Sequence, residues 1–130
     1  MEYGELTRPI IGAAMEVHGL LGPGFLEAIY HRALSKELRL RGLTVETERR
    51  VEILYKGDIV GKHRMDFVVS GAVVVELKSV SAIVQVHVAQ VLSYLTASRL
   101  PVGLILNFGE ASLTWKRIVK SAKSAKSAAQ

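Results

Sequence analysis

The sequence contains no cysteine among its 130 residues. This absence excludes a disulfide framework, a thiolate zinc site and a cysteine nucleophile. No segment approaches the roughly 18 consecutive apolar residues that a membrane-spanning helix requires. The first residues also lack the positive region and apolar core of a signal peptide. We therefore expect a cytoplasmic protein with no membrane partner. Apolar residues make up 49% of the chain, which is enough for one domain with its own core.

Acidic residues are absent after Glu110, whereas five basic residues follow it. The other twelve of the seventeen Lys and Arg residues equal the twelve Asp and Glu residues in number, so the net charge of +5 is local to this end. We predict one domain over residues 1–119 and a basic, low-complexity tail over residues 120–130. The tail could attract a polyanion such as nucleic acid, or it could only aid solubility.

Hydrophobic periodicity predicts three helices and six strands. The predicted helices cover residues 6–20, 23–41 and 83–98. The predicted strands cover residues 43–48, 50–55, 59–69, 72–77, 102–107 and 112–118. The order α-α-β-β-β-β-α-β-(β) predicts an α/β protein of the α+β type, in which helices flank a mixed sheet.

Two acids and a lysine lie on or directly after two neighbouring predicted strands. Glu76 and Lys78 close a valine-rich strand and, two residues apart, they project to one face. Charged groups next to a dry strand are costly unless they are paired or bound to a ligand. A strand that simply enters water at Glu76 is the alternative. Asp66 on the preceding strand favours a site, because a hairpin would bring it near Glu76.

The register of this hairpin decides whether the two acids meet. A two-residue loop would pair Asp66 with Val75 and place the carboxylates on opposite faces. A three-residue loop over residues 70–72 would pair Asp66 with Glu76 and place both on one face. Our hypothesis requires the second register.

Adjacent carboxylates repel each other, and a divalent cation resolves that repulsion. Oxygen ligands favour Mg²⁺ or Mn²⁺ over zinc. Such a cation polarises a phosphoryl oxygen and lowers the pKa of a bound water. Lys78 could orient that water or stabilise charge on a phosphate. Glu27 is a candidate third acid because it lies within the apolar arc of the second helix, although Glu37 shares that arc.

The 83–98 helix carries a polar stripe of His87, Gln90 and Tyr94 beside its apolar face. These side chains could contact a phosphate or the attacking water, or they could form an exposed flank. The other histidines, His18, His31 and His63, lack the spacing of a ligand pair, so we interpret each as a packed or surface residue.

The segment Gly24–Tyr30, with the sequence GFLEAIY, resembles the signature of the GxxExxY protein family. The similarity extends from about Leu6 to Val119. It includes the segment from Asp66 to Lys78 and the polar stripe of the third helix. That family is placed in the PD-(D/E)xK nuclease superfamily, which implies a restriction-endonuclease-like core.

The resemblance also implies roles for individual residues. Asp66 and Glu76 would bind the metal, with Glu27 as the helical acid of the same site. Lys78 would be the catalytic lysine and Gln90 the polar residue on the following helix. The supporting residues would be Tyr30, His87 and Tyr94. The sequence departs from the superfamily name at Met65, where a proline would precede the aspartate.

Three functions remain open from the sequence. The first is a metal-dependent nuclease that hydrolyses phosphodiester bonds in DNA or RNA. The second is a non-catalytic module that retains the nuclease fold and binds nucleic acid. The third is a structural or regulatory protein that assembles with itself or with another protein, which a large uncovered apolar surface would favour.

Overall fold

In the part of the chain that the structure describes, three helices flank a five-stranded sheet, which confirms the predicted α+β class. The structure is a computed structural model that describes residues 2–120. The helices are α1 (Gly4–Leu21), α2 (Glu27–Leu40) and α3 (Gln85–Ser98). The strands are β1 (Val45–Tyr55), β2 (Asp58–Val69), β3 (Val73–Lys78), β4 (Val102–Asn107) and β5 (Thr114–Val119). Most of the predicted basic tail, residues 121–130, lies outside the described residues.

Two predicted boundaries differ from the structure. The segments predicted as separate strands over 43–48 and 50–55 form the single strand β1, so three strands precede α3 instead of four. Glu48, next to the predicted break, has a φ of 55° and is skipped by the pairing with β2, but Thr47 and Arg49 on either side of it both pair with β2. The second helix begins at Glu27 and not at Pro23, because Gly24 has a φ of 106°, which a right-handed helix does not allow.

The sheet has the strand order β1-β2-β3-β4-β5 and is antiparallel except between β3 and β4. Parallel neighbours need a long crossover, and α3 supplies it. The central strand β3 is buried along Val73–Leu77, as the valine run predicted.

The helices cover opposite faces of this sheet. One buried cluster joins α1 and α2 to residues such as Phe67, Val75 and Leu104. The second cluster joins α3 to residues such as Val74 and Ile105. Asp66 on β2 and Lys78 at the end of β3 remain partly exposed.

Gly103 and Asn107 fix β4 against its neighbours. A Cβ atom on Gly103 would lie 2.4 Å from Cγ1 of Val91, so glycine lets α3 approach the sheet. The buried Asn107 side chain accepts a hydrogen bond from the Val80 N–H and donates to the Val80 carbonyl, each at 3.0 Å. The chain that leaves β3 after Lys78 is thereby held beside the end of β4.

Across residues 2–120, no helix combines the length and the apolar character that crossing a bilayer requires.

Candidate active site

A three-residue loop sets the hairpin register that the site requires. Val69 pairs with Val73 and Phe67 pairs with Val75, so the loop consists of residues 70–72. Ser70 and Gly71 have φ values of 55° and 64°, as the tight reversal demands. Continuing this register by one residue sets Asp66 opposite Glu76. The predicted register is therefore confirmed.

The two acids occupy the point where β2 and β3 separate. Pairing between these strands ends at Phe67 and Val75. Beyond it, Oδ2 of Asp66 accepts a hydrogen bond from the Leu77 N–H at 2.9 Å. Oε1 of Glu76 accepts one from the Asp66 N–H at 3.3 Å. The carboxylates thus satisfy backbone groups that the strand ladder leaves free, and this places both acids in one gap.

A local twist of β2 opens the same gap. Phe67 packs in the cluster beneath α1 and α2, whereas Met65 packs in the cluster beneath α3. Regular alternation would keep these two residues on one face. The reversal therefore occurs at Asp66, and Glu48, with its positive φ, lies across from it on β1. Asp66 consequently borders the layer of α2 as well as that of α3.

An acidic pocket of about 270 Å³ lies on the α2 side of the gap. Glu27, Glu48 and Asp66 contribute carboxylates to its lining, and Arg32 contributes a cation. The structure therefore brings the predicted third acid, Glu27, to the same pocket as Asp66. Glu48 was not predicted, because its position in β1 carries no signal until the register with β2 is known.

Burial and mutual repulsion raise the pKa of two of these acids, Glu76 and Glu27. Glu76 is only 5% exposed, and desolvation, followed by the charge of Asp66, raises its pKa from 4.5 to about 8. Desolvation and Asp66 also raise the pKa of Glu27. The Lys78 ammonium partly offsets both effects. A bound cation would favour the ionised forms far more strongly.

Lys78 and Gln90 face each other between β3 and α3. Nζ of Lys78 donates a hydrogen bond to Oε1 of Gln90 at 3.2 Å. The lysine is half-buried and the glutamine is exposed. Since Lys78 influences the pKa of both Glu27 and Glu76, its charge acts on the acid gap directly.

The other predicted supporting residues take different positions. Nδ1 of His87 accepts a hydrogen bond from the Val84 N–H at 3.0 Å and thereby caps α3. The hydroxyl of Tyr30 donates to the Gly22 carbonyl at 2.5 Å and accepts from the Phe25 N–H at 3.1 Å. Tyr30 is buried, so it fixes the loop before Glu27 from inside the core. Tyr94 is buried at the α3 side of the gap, and burial raises its pKa.

His63 joins the gap although its sequence position gave no sign of it. Its ring stacks on Tyr94 with a centroid distance of 3.7 Å. Its Nε2 atom lies 3.9 Å from Oε1 of Glu76. That nitrogen is buried and has no hydrogen-bond partner among the described residues. Desolvation lowers the pKa of His63, which favours the neutral ring.

The donor set suits a hard divalent cation. Within residues 2–120, no three His, Asp or Glu side chains already converge as a complete metal-binding cluster. Asp66 and Glu76 nevertheless share one gap, and Glu27 faces it across the pocket. The unpartnered Nε2 of His63 adds a nitrogen beside Glu76. The carboxylate oxygens are the ligands that Mg²⁺ and Mn²⁺ prefer, whereas an imidazole nitrogen favours transition metals such as zinc, copper, iron or nickel.

Comparison with known proteins identifies the family. A family model described as the PD-(D/E)XK nuclease superfamily matches residues 4–118, a range that runs from the start of α1 to one residue before the end of β5. The chain belongs to the PD-(D/E)XK nuclease superfamily. Its PD-(D/E)XK domain is also similar to the crystal structure of SSO0001, with a TM-score of 0.61 and 19% sequence identity. That match covers 98% of this chain and 64% of the SSO0001 chain, and it shows the fold alone. No protein of curated function matches the sequence.

Proposed function

We propose that this PD-(D/E)XK domain hydrolyses phosphodiester bonds in DNA or RNA with the help of Mg²⁺ or Mn²⁺. The observation that carries the proposal is the meeting of Asp66 and Glu76 in the gap between β2 and β3, with Lys78 beside them. Two acids in a desolvated gap are unfavourable by themselves, as the raised pKa of Glu76 indicates. A cation that removes this penalty would also supply the chemistry.

Each residue of the site can be given a role. Asp66 and Glu76 would hold the cation, and Glu27 would complete its surroundings from α2. When bound, the cation supplies Lewis acidity toward a phosphoryl oxygen and lowers the pKa of a ligated water. Lys78 would orient the attacking water and neutralise charge that develops on the phosphate. Gln90 keeps the lysine ammonium in place through the 3.2 Å hydrogen bond.

The decisive experiment compares cleavage by the full chain and by matched variants. Plasmid, single-stranded DNA and RNA are incubated with Mg²⁺ or Mn²⁺. We expect Asp66→Asn and Lys78→Met to lose about 100-fold or more in rate, since each removes a charge that acts in the transition state. Asp58→Asn at the β1–β2 turn and Lys36→Met on α2 are the matched controls. Equal rates in all proteins would identify a contaminating nuclease and refute the proposal.

A non-catalytic nucleic-acid-binding module is the second candidate. It is favoured by the engagement of Asp66 and Glu76 with backbone N–H groups and by the lack of a complete three-group cluster within the described residues. Calorimetric titration with Mn²⁺ separates the two candidates. A nuclease should bind the ion through Asp66 and Glu76, whereas a pure binding module should take up no ion there and should still bind nucleic acid in EDTA.

A further inference from the structure

A basic groove lies beside the acid gap. It has a volume of about 580 Å³ and runs between the β1–β2 hairpin and the C-terminal end of α3. The basic side chains in its lining are Arg49, Arg50, Lys62 and Arg99, whereas Glu52 is its acidic member. We call this groove, with its four cations, the basic groove. Its charge is opposite in sign to that of the pocket at Asp66.

Most of this positive charge is not neutralised by the described residues. Arg50, Lys62 and Arg99 form no ion pair with any of them. Arg49 contacts Glu46 at 3.6 Å, but both side chains are largely exposed and such pairs contribute little. The groove therefore has a net positive charge, with four cations against Glu52 in its lining.

The cations of the hairpin also crowd one another. Arg50 lies directly opposite Arg64, and Lys62 lies opposite Glu52. By alternation, Arg50, Lys62 and Arg64 project from one face of the two strands. Like charges that face each other across two strands destabilise the sheet by roughly 0.2–1 kcal/mol. Val51 and Met65 project to the opposite face and pack beneath α3. Arg64 forms an ion pair with Glu48 at 3.7 Å, so an anion bound at Arg50 and Lys62 would relieve the repulsion that remains.

Arg99 occupies a backbone position that does not favour arginine. It follows α3 with a φ of 62°, where glycine or asparagine is the usual residue. A side chain with a Cβ atom in this conformation costs about 1 kcal/mol. The residue therefore adds charge to the groove at a backbone position that glycine would occupy with less strain.

The basic groove and the acid gap are continuous along β2. Met65 lines the groove, and Asp66 is the next residue. Between Lys62 and Arg64, His63 turns its Nε2 atom to within 3.9 Å of Glu76. β2 thus presents Lys62 to the groove and Asp66 to the gap within five residues.

An acidic pocket by itself repels the substrate that a nuclease must cleave. Glu27, Glu48 and Asp66 line the pocket together with Arg32, so phosphate groups need attraction from elsewhere to approach it. We propose that the basic groove binds the phosphate backbone of the nucleic acid and leads one strand to Asp66 and Glu76. This inference rests on the proposed nuclease function.

Binding measured without turnover tests the groove separately from the chemistry. Fluorescence anisotropy follows labelled single-stranded DNA, RNA and duplex DNA with the full chain in EDTA. We expect the triple variant Arg50→Ala, Lys62→Ala, Arg99→Ala to bind at least one of these about 10- to 100-fold more weakly at low salt. The slope of log affinity against log salt should fall by about 2, at roughly 0.7 per lost phosphate contact for a single strand.

The matched control removes three exposed cations from another surface, with Arg8→Ala, Arg39→Ala and Lys36→Ala. Both triple variants keep residues 121–130 and have the same net charge. Circular dichroism confirms that both are folded. Equal affinities and equal salt slopes for the two variants would overturn the groove assignment, as would a wild-type protein that binds no nucleic acid.

Steady-state cleavage then relates the groove to the active site. We expect the groove variant to raise KM about 10-fold or more while kcat at saturating substrate stays near that of the control, because the groove contacts substrate away from the reacting bond. A loss confined to kcat would contradict the proposal. If wild-type protein binds through the groove but cleaves nothing, the nuclease function fails while the binding surface stands.

Discussion

Replacing Glu76 with glutamine should make the metal-free protein more stable at alkaline pH. The pKa of this carboxyl is 4.5 when it is solvated, and burial and the charge of Asp66 raise it to about 8 in the folded protein. Below pH 4.5 it is protonated in both states and burial has no ionic cost. As pH rises from 4.5 to about 8, the folded state holds a proton that the unfolded state releases, so stability falls. Above pH 8 the destabilisation is complete.

The magnitude follows from the same two values. At ~1.36 kcal/mol per pH unit, a rise from 4.5 to about 8 sets an upper limit of roughly 5 kcal/mol on the cost of the ionised carboxylate. Water in the adjoining pocket of about 270 Å³ screens part of it, and we expect Glu76→Gln to stabilise the protein at pH 9 by about 1–3 kcal/mol. For a chain of this length, each ~1 kcal/mol raises Tm by about 3–5 °C.

Thermal unfolding of the full chain in EDTA between pH 5.5 and 9.5 measures this effect. The advantage of Glu76→Gln should be small at pH 5.5 and should grow up to about pH 9. Glu16→Gln on the exposed side of α1 is the control and should leave the pH profile unchanged. Parallel profiles for Glu76→Gln and wild type would refute the reasoning, because they would mean that Glu76 is solvated in the folded state.

Glu76→Gln also tests the metal site, and here the substitution should reduce the gain in stability instead of increasing stability. Mg²⁺ or Mn²⁺ bound to the folded state should raise the Tm of wild type by mass action. It should do so less for Glu76→Gln, which lacks the charged ligand. Metal binding to wild type near pH 7 should also release a proton into solution, which calorimetry in buffers of different ionisation enthalpy detects. An equal Tm shift in both proteins would exclude Glu76 as a ligand.

Three further substitutions test the packing and the site. Gly109→Ala should destabilise the folded protein by more than about 2 kcal/mol, since its Cβ atom would lie 2.4 Å from the Val80 carbonyl oxygen. Urea unfolding compares this loss with that of Gly19→Ala, where no atom lies within 4 Å of the added Cβ atom. An equal effect of both substitutions would contradict the packing. Tyr30→Phe should cost about 1–2 kcal/mol by the same assay, because Gly22 and Phe25 lose a buried partner, and a neutral result would contradict that role. His63→Leu should weaken Mn²⁺ binding in calorimetry about 10-fold if Nε2 acts at the cation, whereas unchanged binding would assign the ring to packing alone.

The sequence was sufficient for the element types and for the nature of the candidate chemistry. Helical and strand periodicity are local properties, so α1, α3 and the strands β2 to β5 follow from spacing alone. The errors are the start of α2, where Gly24 intervenes, and the division of β1 into two strands. The residue types of Asp66, Glu76 and Lys78 likewise predicted a cation site before any coordinates, because carboxylates in a dry strand need a partner.

The sequence left the hairpin register as a choice between two loops, and only the tertiary structure selected the loop over residues 70–72. A single residue of slip would have separated Asp66 from Glu76. The twist at Asp66 then brought Glu48 and His63 to the site, and no spacing rule anticipates a reversal of alternation within a strand. Local sequence determines which side chains are available. Long-range pairing and sheet twist decide which of them meet, because these depend on contacts between segments that are distant along the chain.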